Sequence, residues 1–298
     1  MKKFCVVANM EKSRAAEAAE KIRSHIESKG CSCRVLANEL HCEGEKNCYT
    51  RVGDIEDGTE CVIVLGGDGT MIQAAKDTAL KDIPLYGINI GGVGFLTESD
   101  AHNMRDNIDR LISDDFRVEK RMMLEGRTTS GAGKNMELAL NDFAIFRREF
   151  GKLIRFAVYI NGELLDSFIA DGVIVSTPTG STGYNISAGG PVIAPNVNAV
   201  AVTPVCPHSL NDRSFIIDGN DSIEIKLLDG KNSRVDSAVI SVDGRMFETI
   251  ESGDSVYMKK SDVATGIVLM KKTNFYKKMR QKLTGGGFDE NTQTKKNN

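Results

Sequence analysis

The chain has 298 residues and a formal net charge of −3, so no global basic field draws it onto nucleic acid or an anionic membrane. Hydrophobic residues make up 41% and charged residues 27%, which argues against disorder, and the length suits two domains. No apolar run reaches the length of a membrane span, and the seven cysteines follow no disulfide-framework spacing, so the expectation is a reduced, cytoplasmic protein.

Phe4 to Ala8 reads as a first strand, its apolar part too short for the core of a signal peptide. Ser13 to Lys29 carries Ala15, Ala18, Ala19, Ile22 and Ile26 at helical spacing and stops at Gly30. Cys33 to Leu36 is a short second strand, and the polar, poorly periodic stretch from Asn38 to Glu60 reads as a long surface loop. Cys31, Cys33, His41, Cys42 and Cys48 cluster there, but without a Cys-x-x-Cys pair they read as ordinary reduced residues rather than a zinc site. Cys5, Cys61 and Cys206 lie in apolar runs and are expected to be buried thiols. Cys61 to Leu65 is a strand that enters Gly66-Gly67-Asp68-Gly69-Thr70, and a helix follows to about Leu80. Pro84 to Asn89 is another strand, ending in a second glycine-rich turn over residues 91–97, and Asp100 to Ile112 reads as a helix. Repeated strand–helix units imply a Rossmann-like α/β domain with a parallel sheet over residues 1–118.

From Phe116 onward strands dominate: 118–127, 136–146, 154–160, 164–168, 172–176, 199–203, 214–218, 222–228, 238–242 and 255–260. Asn161-Gly162 and Asp243-Gly244 carry the signature of tight hairpin turns. Residues 119–272 are therefore expected to form an all-β, sandwich-like domain. In 273–298, the basic run Asn274 to Leu283 reads as a short helix or tail whose charge is a solvated face, with a disordered polar tail beyond Gly287.

The turn at 66–70 has the form that α/β folds use for phosphate, because glycines let backbone N–H groups approach an anion at a helix start. Asp68 would repel a bare phosphate, so it either caps its helix or serves as a metal ligand or catalytic base. A second constellation runs from Asp171 to Pro191, where an apolar strand enters a dense array of hydroxyls and glycines. A short helix near Thr182, capped by Ser181 or Thr179, would give an uncharged lining for ribose, amide and phosphate oxygens, and Tyr184 could stack on a base. Asn141-Asp142 is an amide–carboxylate pair in apolar surroundings, at a bulge or turn or in a pocket, and His208 follows an apolar strand. No P-loop, Gly-x-Gly-x-x-Gly fingerprint, protein-kinase set or nucleophile elbow is present. Local pattern stops at a two-domain nucleotide or phosphate binder.

In order and spacing, these motifs resemble the NAD kinase family, ATP- or polyphosphate-dependent, over about residues 1–280. Gly66-Gly67-Asp68-Gly69-Thr70 is similar to the family's first glycine motif, which lipid kinases and phosphofructokinases share. Gly87-Ile88-Asn89 with Gly94-Phe95-Leu96 resembles its second, Asn141-Asp142 its Asn-Glu/Asp pair, and Asp171 to Gly190 its long hydroxyl-rich segment. The resemblance implies transfer of the γ-phosphoryl group of ATP to the adenosine ribose 2′-hydroxyl of NAD, with Mg²⁺ or Mn²⁺ carried mainly by the ATP phosphates. It implies Asp68 as the base, and Gly66, Gly67, Gly69 and Thr70 at phosphate. It further implies Asn141, Asp142, Asp171, Thr182, Gly183, Tyr184, Asn185, Ile186 and Ser187, with Asp68 and Gly69, at NAD. Lys152, Arg245, His208 and Asn89 are carried over from less distinctive surroundings. Ile169-Ala170 stands where many members have Arg-Gly, Asp142 is one methylene shorter than the frequent Glu, and Gly183 replaces a frequent Ala. A homo-oligomer, dimer or tetramer, is expected. The alternatives are another kinase with the same glycine motif, acting on a lipid or sugar, or a non-catalytic dinucleotide sensor.

Overall fold

A computed structural model describes residues 1–8, 13–36, 51–90, 94–97, 99–100, 103–130, 136–149, 151–209, 213–270 and 275–283. His41, Cys42, Cys48 and the polar tail beyond Gly287 lie outside them. The chain forms two units: residues 1–77, 83–119 and 267–298 make the first, and residues 78–82 and 120–266 make the second.

The first unit is built on β1 (Lys3–Ala8), β2 (Ser32–Leu36), β3 (Cys61–Gly66), β4 (Leu85–Asn89) and the two-residue β5 (Ser99–Asp100). Every pairing among them is parallel: β2 beside β1, β1 beside β3, β3 beside β4, and β4 beside β5. Val62, Ile63, Val64 and Leu65 have no solvent exposure, as expected of a parallel strand covered on both faces. Helix α1 (Ser13–Ser28) buries Ala15, Ala19, Ile22 and Ile26 at the predicted period, and α2 (Asp68–Ala79) and α3 (Met104–Ile112) follow β3 and β5. The sequence places the start of α3 at Asp100; Ser99 and Asp100 instead pair with Ile88 and Asn89 as a strand.

The second unit contains β6 (Arg117–Thr128, its first three residues in the first unit), β7 (Glu137–Ala139), β8 (Asp142–Arg147), β9 (Ile154–Ile160), β10 (Glu163–Ala170), β11 (Gly172–Ser176) and β12 (Ala199–Val205). The strands β13 (Phe215–Asp218), β14 (Ile223–Leu228), β15 (Ser237–Val242), β16 (Arg245–Glu251) and β17 (Ser255–Leu269) follow. One antiparallel layer runs β10–β9–β14–β17, and a six-stranded antiparallel layer runs β13–β12–β11–β8–β15–β16. Alternate residues of both layers share one core: Phe143 and Ile145, Phe156 and Val158, Val173 and Val175, Ile223 and Ile225, Val256 and Met258. The expected sandwich is therefore present. Asn161 and Gly162 have φ of 52° and 84°, and Asp243 and Gly244 have 50° and 80°, as two-residue hairpins joining right-twisted strands require.

Three further expectations need correction. Residues 136–146 are two strands, broken at Leu140 and Asn141. The strand expected over 255–260 continues to Leu269; Ser261, Asp262 and Thr265 hide it by interrupting the apolar pattern, and its end belongs to the first unit, where Ile267 pairs with Leu85. Cys206 is exposed, because it sits at φ 48° just after β12 rather than within it; Cys5 and Cys61 are buried as expected.

Candidate active site

In the first unit, β3 ends at Gly66 and α2 begins at Asp68. A Cβ on Gly66 would lie 2.4 Å from Thr70 Oγ1, so the threonine side chain folds over a bare backbone there. A Cβ on Gly67 or Gly69 would meet nothing within 4 Å. Among the described residues no neighbour requires glycine at these two positions, and they leave backbone accessible at a helix start, which suits an anionic ligand. The β3–β4 register sets Asn89 opposite Gly66.

Asp68 does not cap its own helix. Its Oδ2 accepts from Phe95 N at 2.8 Å and its Oδ1 from Leu96 N at 3.0 Å, so the carboxylate joins the two glycine turns. A Cβ on Gly94 would lie 2.3 Å from Asp68 Oδ1, and the glycine makes that approach possible. Helix α5 (Phe275–Leu283) reaches the same turn. Lys278 Nζ donates to the carbonyls of Phe95 and Thr97 at 3.4 and 3.0 Å; Lys282 Nζ lies 3.6 Å from Asp68 Oδ2 and 4.0 Å from the Phe95 ring centroid. The basic run read as a solvated face is thus partly docked. Its spacing shows a helix but not which loop the helix meets.

In the second unit, the break before β8 is held by Asp243 of the β15–β16 turn. Its carboxylate accepts from Leu140 N, Asn141 N and Asp142 N at 2.8, 2.7 and 3.1 Å, and Asp243 N donates to Asp142 O at 3.0 Å. Charge-assisted bonds of this kind contribute roughly 1.5–3 kcal/mol each. Asp142 is 5% exposed; burial, with the Asp243 charge second, pushes its carboxyl up to about 7.

The hydroxyl-rich segment packs against this break. Thr177 Oγ1 donates to Leu140 O at 2.5 Å and accepts from Gly180 N at 3.1 Å, while Thr177 N donates to Asn141 O at 2.8 Å. A Cβ on Gly180 would lie 2.1 Å from Asn141 O. A 3-10 turn over Gly180–Thr182 precedes the one-turn helix α4 (Tyr184–Ser187). Neither Ser181 nor Thr179 caps a helix through its hydroxyl: Gly183 stands at the N-cap of α4 and Thr179 at that of the 3-10 turn, both without a side-chain cap, and Thr177 Oγ1 accepts from the turn's first amide, Gly180 N. Ser181 is buried, with Oγ donating to Pro178 O at 2.6 Å and accepting from Ile193 N at 3.0 Å. Asn185 has no exposure: it donates to Ser181 O and Pro191 O and accepts from Thr203 Oγ1 at 2.7 Å. Its amide is spent on holding the segment together.

Thr182, Gly183, Ile186 and Ser187 are at least partly accessible, and Gly183 lies near the Asn141 side chain: a Cβ there would be 3.5 Å from Asn141 Nδ2. Tyr184 stacks on Phe146 at 5.4 Å between centroids and keeps 48% of its surface exposed. Asp171 pairs with Arg147 at 2.5 Å. The structure thus groups Asn141, Asp142 and residues 176–187. Lys152 instead pairs with Glu149 on an exposed turn, Arg245 lies exposed beyond the Asp243-Gly244 turn, and His208 lines a separate cleft of about 420 Å³ with Arg155 and Ser167. Sequence reasoning missed Arg147, Thr177, Lys278 and Lys282 and saw Asp243 only as a turn residue.

Comparison with known proteins follows this division. Residues 3–116 match the ATP-NAD kinase N-terminal domain and residues 140–270 the ATP-NAD kinase C-terminal domain. An NAD kinase of Lachnoclostridium phytofermentans is 38% identical, covering 95% of this chain and 99% of that protein; one of Lachnospira eligens is 39% identical, covering 95% and 100%. The fold is similar to that of yeast NADH kinase complexed with NADH (TM-score 0.84, 24% identity, covering 97% of this chain and 89% of that one). It also resembles an Archaeoglobus fulgidus NAD kinase in complex with ATP (TM-score 0.72, 22% identity, covering 95% and 99%). With both domains matched in order and relatives aligned nearly end to end, the chain belongs to the NAD kinase family.

Proposed function

We propose that this protein is an NAD kinase that transfers the γ-phosphoryl group of ATP to the 2′-hydroxyl of the adenosine ribose of NAD, forming NADP. The observation that carries the reading is the Asp68 carboxylate, fixed by two backbone amides beside two glycines, Gly67 and Gly69, that sit in open space among the described residues. Phosphoryl transfer depends mainly on positioning and on neutralising charge. A ribose hydroxyl is a weak nucleophile, and a carboxylate of fixed orientation accepts its proton as the new bond forms. Gly67, Gly69 and the α2 amides meet the phosphates. Asn141, Asp142 and the accessible residues of 182–187 hold the dinucleotide, with Tyr184 beside its rings and Asp171 kept in place by Arg147. A divalent cation, Mg²⁺ or Mn²⁺, would be held mainly by the donor phosphates and would supply charge neutralisation there.

The hydroxyl-rich lining suits a dinucleotide better than a lipid acceptor. Edge strands with exposed Leu164, Ile216 and Met246 support self-association.

The test is NADP formation from ATP, Mg²⁺ and NAD, read with an NADP-specific dehydrogenase. Wild-type protein is expected to make NADP. Asp68→Asn is expected to lose at least about 100-fold in kcat, with NAD affinity kept within a few-fold. Folded wild-type protein that makes no NADP overturns the reading; an equal collapse of NAD binding in Asp68→Asn makes Asp68 a ligand contact instead of a base.

A further inference from the structure

The turn whose amides hold Asp68 is itself held by α5. Lys278 grips its carbonyls at Phe95 and Thr97, and Lys282, four residues on, presents its ammonium to the Asp68 carboxylate and the Phe95 ring. Residues four apart share a helix face, so one face of α5 meets both the turn and the carboxylate. The side chains of Lys282 and Asp68 are 28% and 29% exposed, which screens the pair less than an open surface pair. The aromatic ring adds a cation–π contact that holds the long lysine side chain in one place.

We propose that Lys282 is a positioning residue for Asp68, and that α5 is thereby a working part of the phosphoryl-transfer site. This rests on the kinase reading above. An ionised carboxylate offers about four acceptor positions. Among the described residues, two amides and one ammonium engage Asp68, which fixes the carboxylate before an acceptor hydroxyl arrives. Loss of such a constraint lowers the rate at which bound substrate reacts more than it lowers binding.

The test compares full-length wild type, Lys282→Met and Lys282→Arg in the NADP-forming assay, with NAD and ATP each varied. NAD affinity is measured by calorimetry, and folding by thermal unfolding. Lys282→Met is expected to lower kcat at least about tenfold while both KM values stay within about twofold. Lys282→Arg, which keeps a cation able to stack on Phe95, is expected to recover most of the loss. Should Lys282→Met fail to fold, Lys282→Gln carries the same expectation. A folded Lys282→Met enzyme with wild-type kcat overturns the proposal, as does a loss carried in KM or one that arginine does not restore. Wild-type protein that makes no NADP overturns the kinase reading, and this proposal falls with it.

Discussion

Asp243 and Asp142 illustrate how a single residue can shape a site it does not appear to belong to. The Asp243 carboxylate spends itself on three successive amides, and the same charge, together with burial, favours the neutral form of Asp142. Because the folded-state value near 7 lies above the ordinary carboxylate range, the unfolded chain releases this proton first as pH rises. The contribution to stability is therefore full below about pH 4 and is lost between about pH 4 and pH 7, an effect of up to about 4 kcal/mol. Asp142→Asn removes that titration. Thermal unfolding of both proteins from pH 5 to pH 8 is expected to show wild type losing stability relative to the variant as pH rises; parallel curves would contradict the assignment. Asn141-Asp142 was legible in the sequence because a polar pair interrupts an apolar run. Asp243 was legible only as a turn former, since the amides it holds come from a distant segment that no local spacing connects to it.

At the scale of elements, the segment from Ser176 to Gly190 is held in place by its own buried side chains, which bond both its backbone and the backbone beside it. Buried Thr177, Ser181 and Asn185 take up carbonyls and amides that a loop would otherwise leave to water. The closest approach to backbone in it is that of Gly180, where an added Cβ would lie 2.1 Å from the Asn141 carbonyl oxygen and no flexible side chain can give way. Gly180→Ala is expected to destabilise the protein by about 1–3 kcal/mol and to raise KM for NAD more than it lowers kcat. Calorimetry and steady-state kinetics check this, and an alanine variant of unchanged Tm and KM would refute it. The sequence displayed the density of hydroxyls and glycines but not their division of labour. Which hydroxyl caps, which braces and which faces outward depends on the turn after Ser176, and hydroxyls at neighbouring positions look alike until that turn is known.

At the scale of the whole molecule, the two units differ in how the chain supplies them. The second is nearly one continuous stretch, whereas the first takes its last strand residues from 267–269. Val268 and Met270 are buried in the first unit's core, and Arg110 Nη2 donates to Met270 O at 2.6 Å. A fragment of residues 1–119 is thus expected to show no cooperative thermal transition by circular dichroism, and appending residues 267–283 through a flexible linker is expected to restore one. A sharp transition in the shorter fragment would refute the dependence. The parallel strands of this unit were legible from their apolar runs; the returning end has such a run too, Ile267 to Met270, but polar residues separate it from Ser255–Lys260 and its place beside Leu85 is set by a pairing no local pattern shows.

The same threading sets an order of events during synthesis. Domains generally fold as units while the chain emerges at about 5–20 residues per second, but here residues 1–119 must wait for residues 267–270 before their core is complete. The middle of the chain can fold while the beginning still lacks its partner. The glycine turn and Asp68 therefore precede residues 267–270 in synthesis and are assembled after them, so a ribosome that stalls before residue 267 leaves a folded middle attached to an unfinished glycine turn.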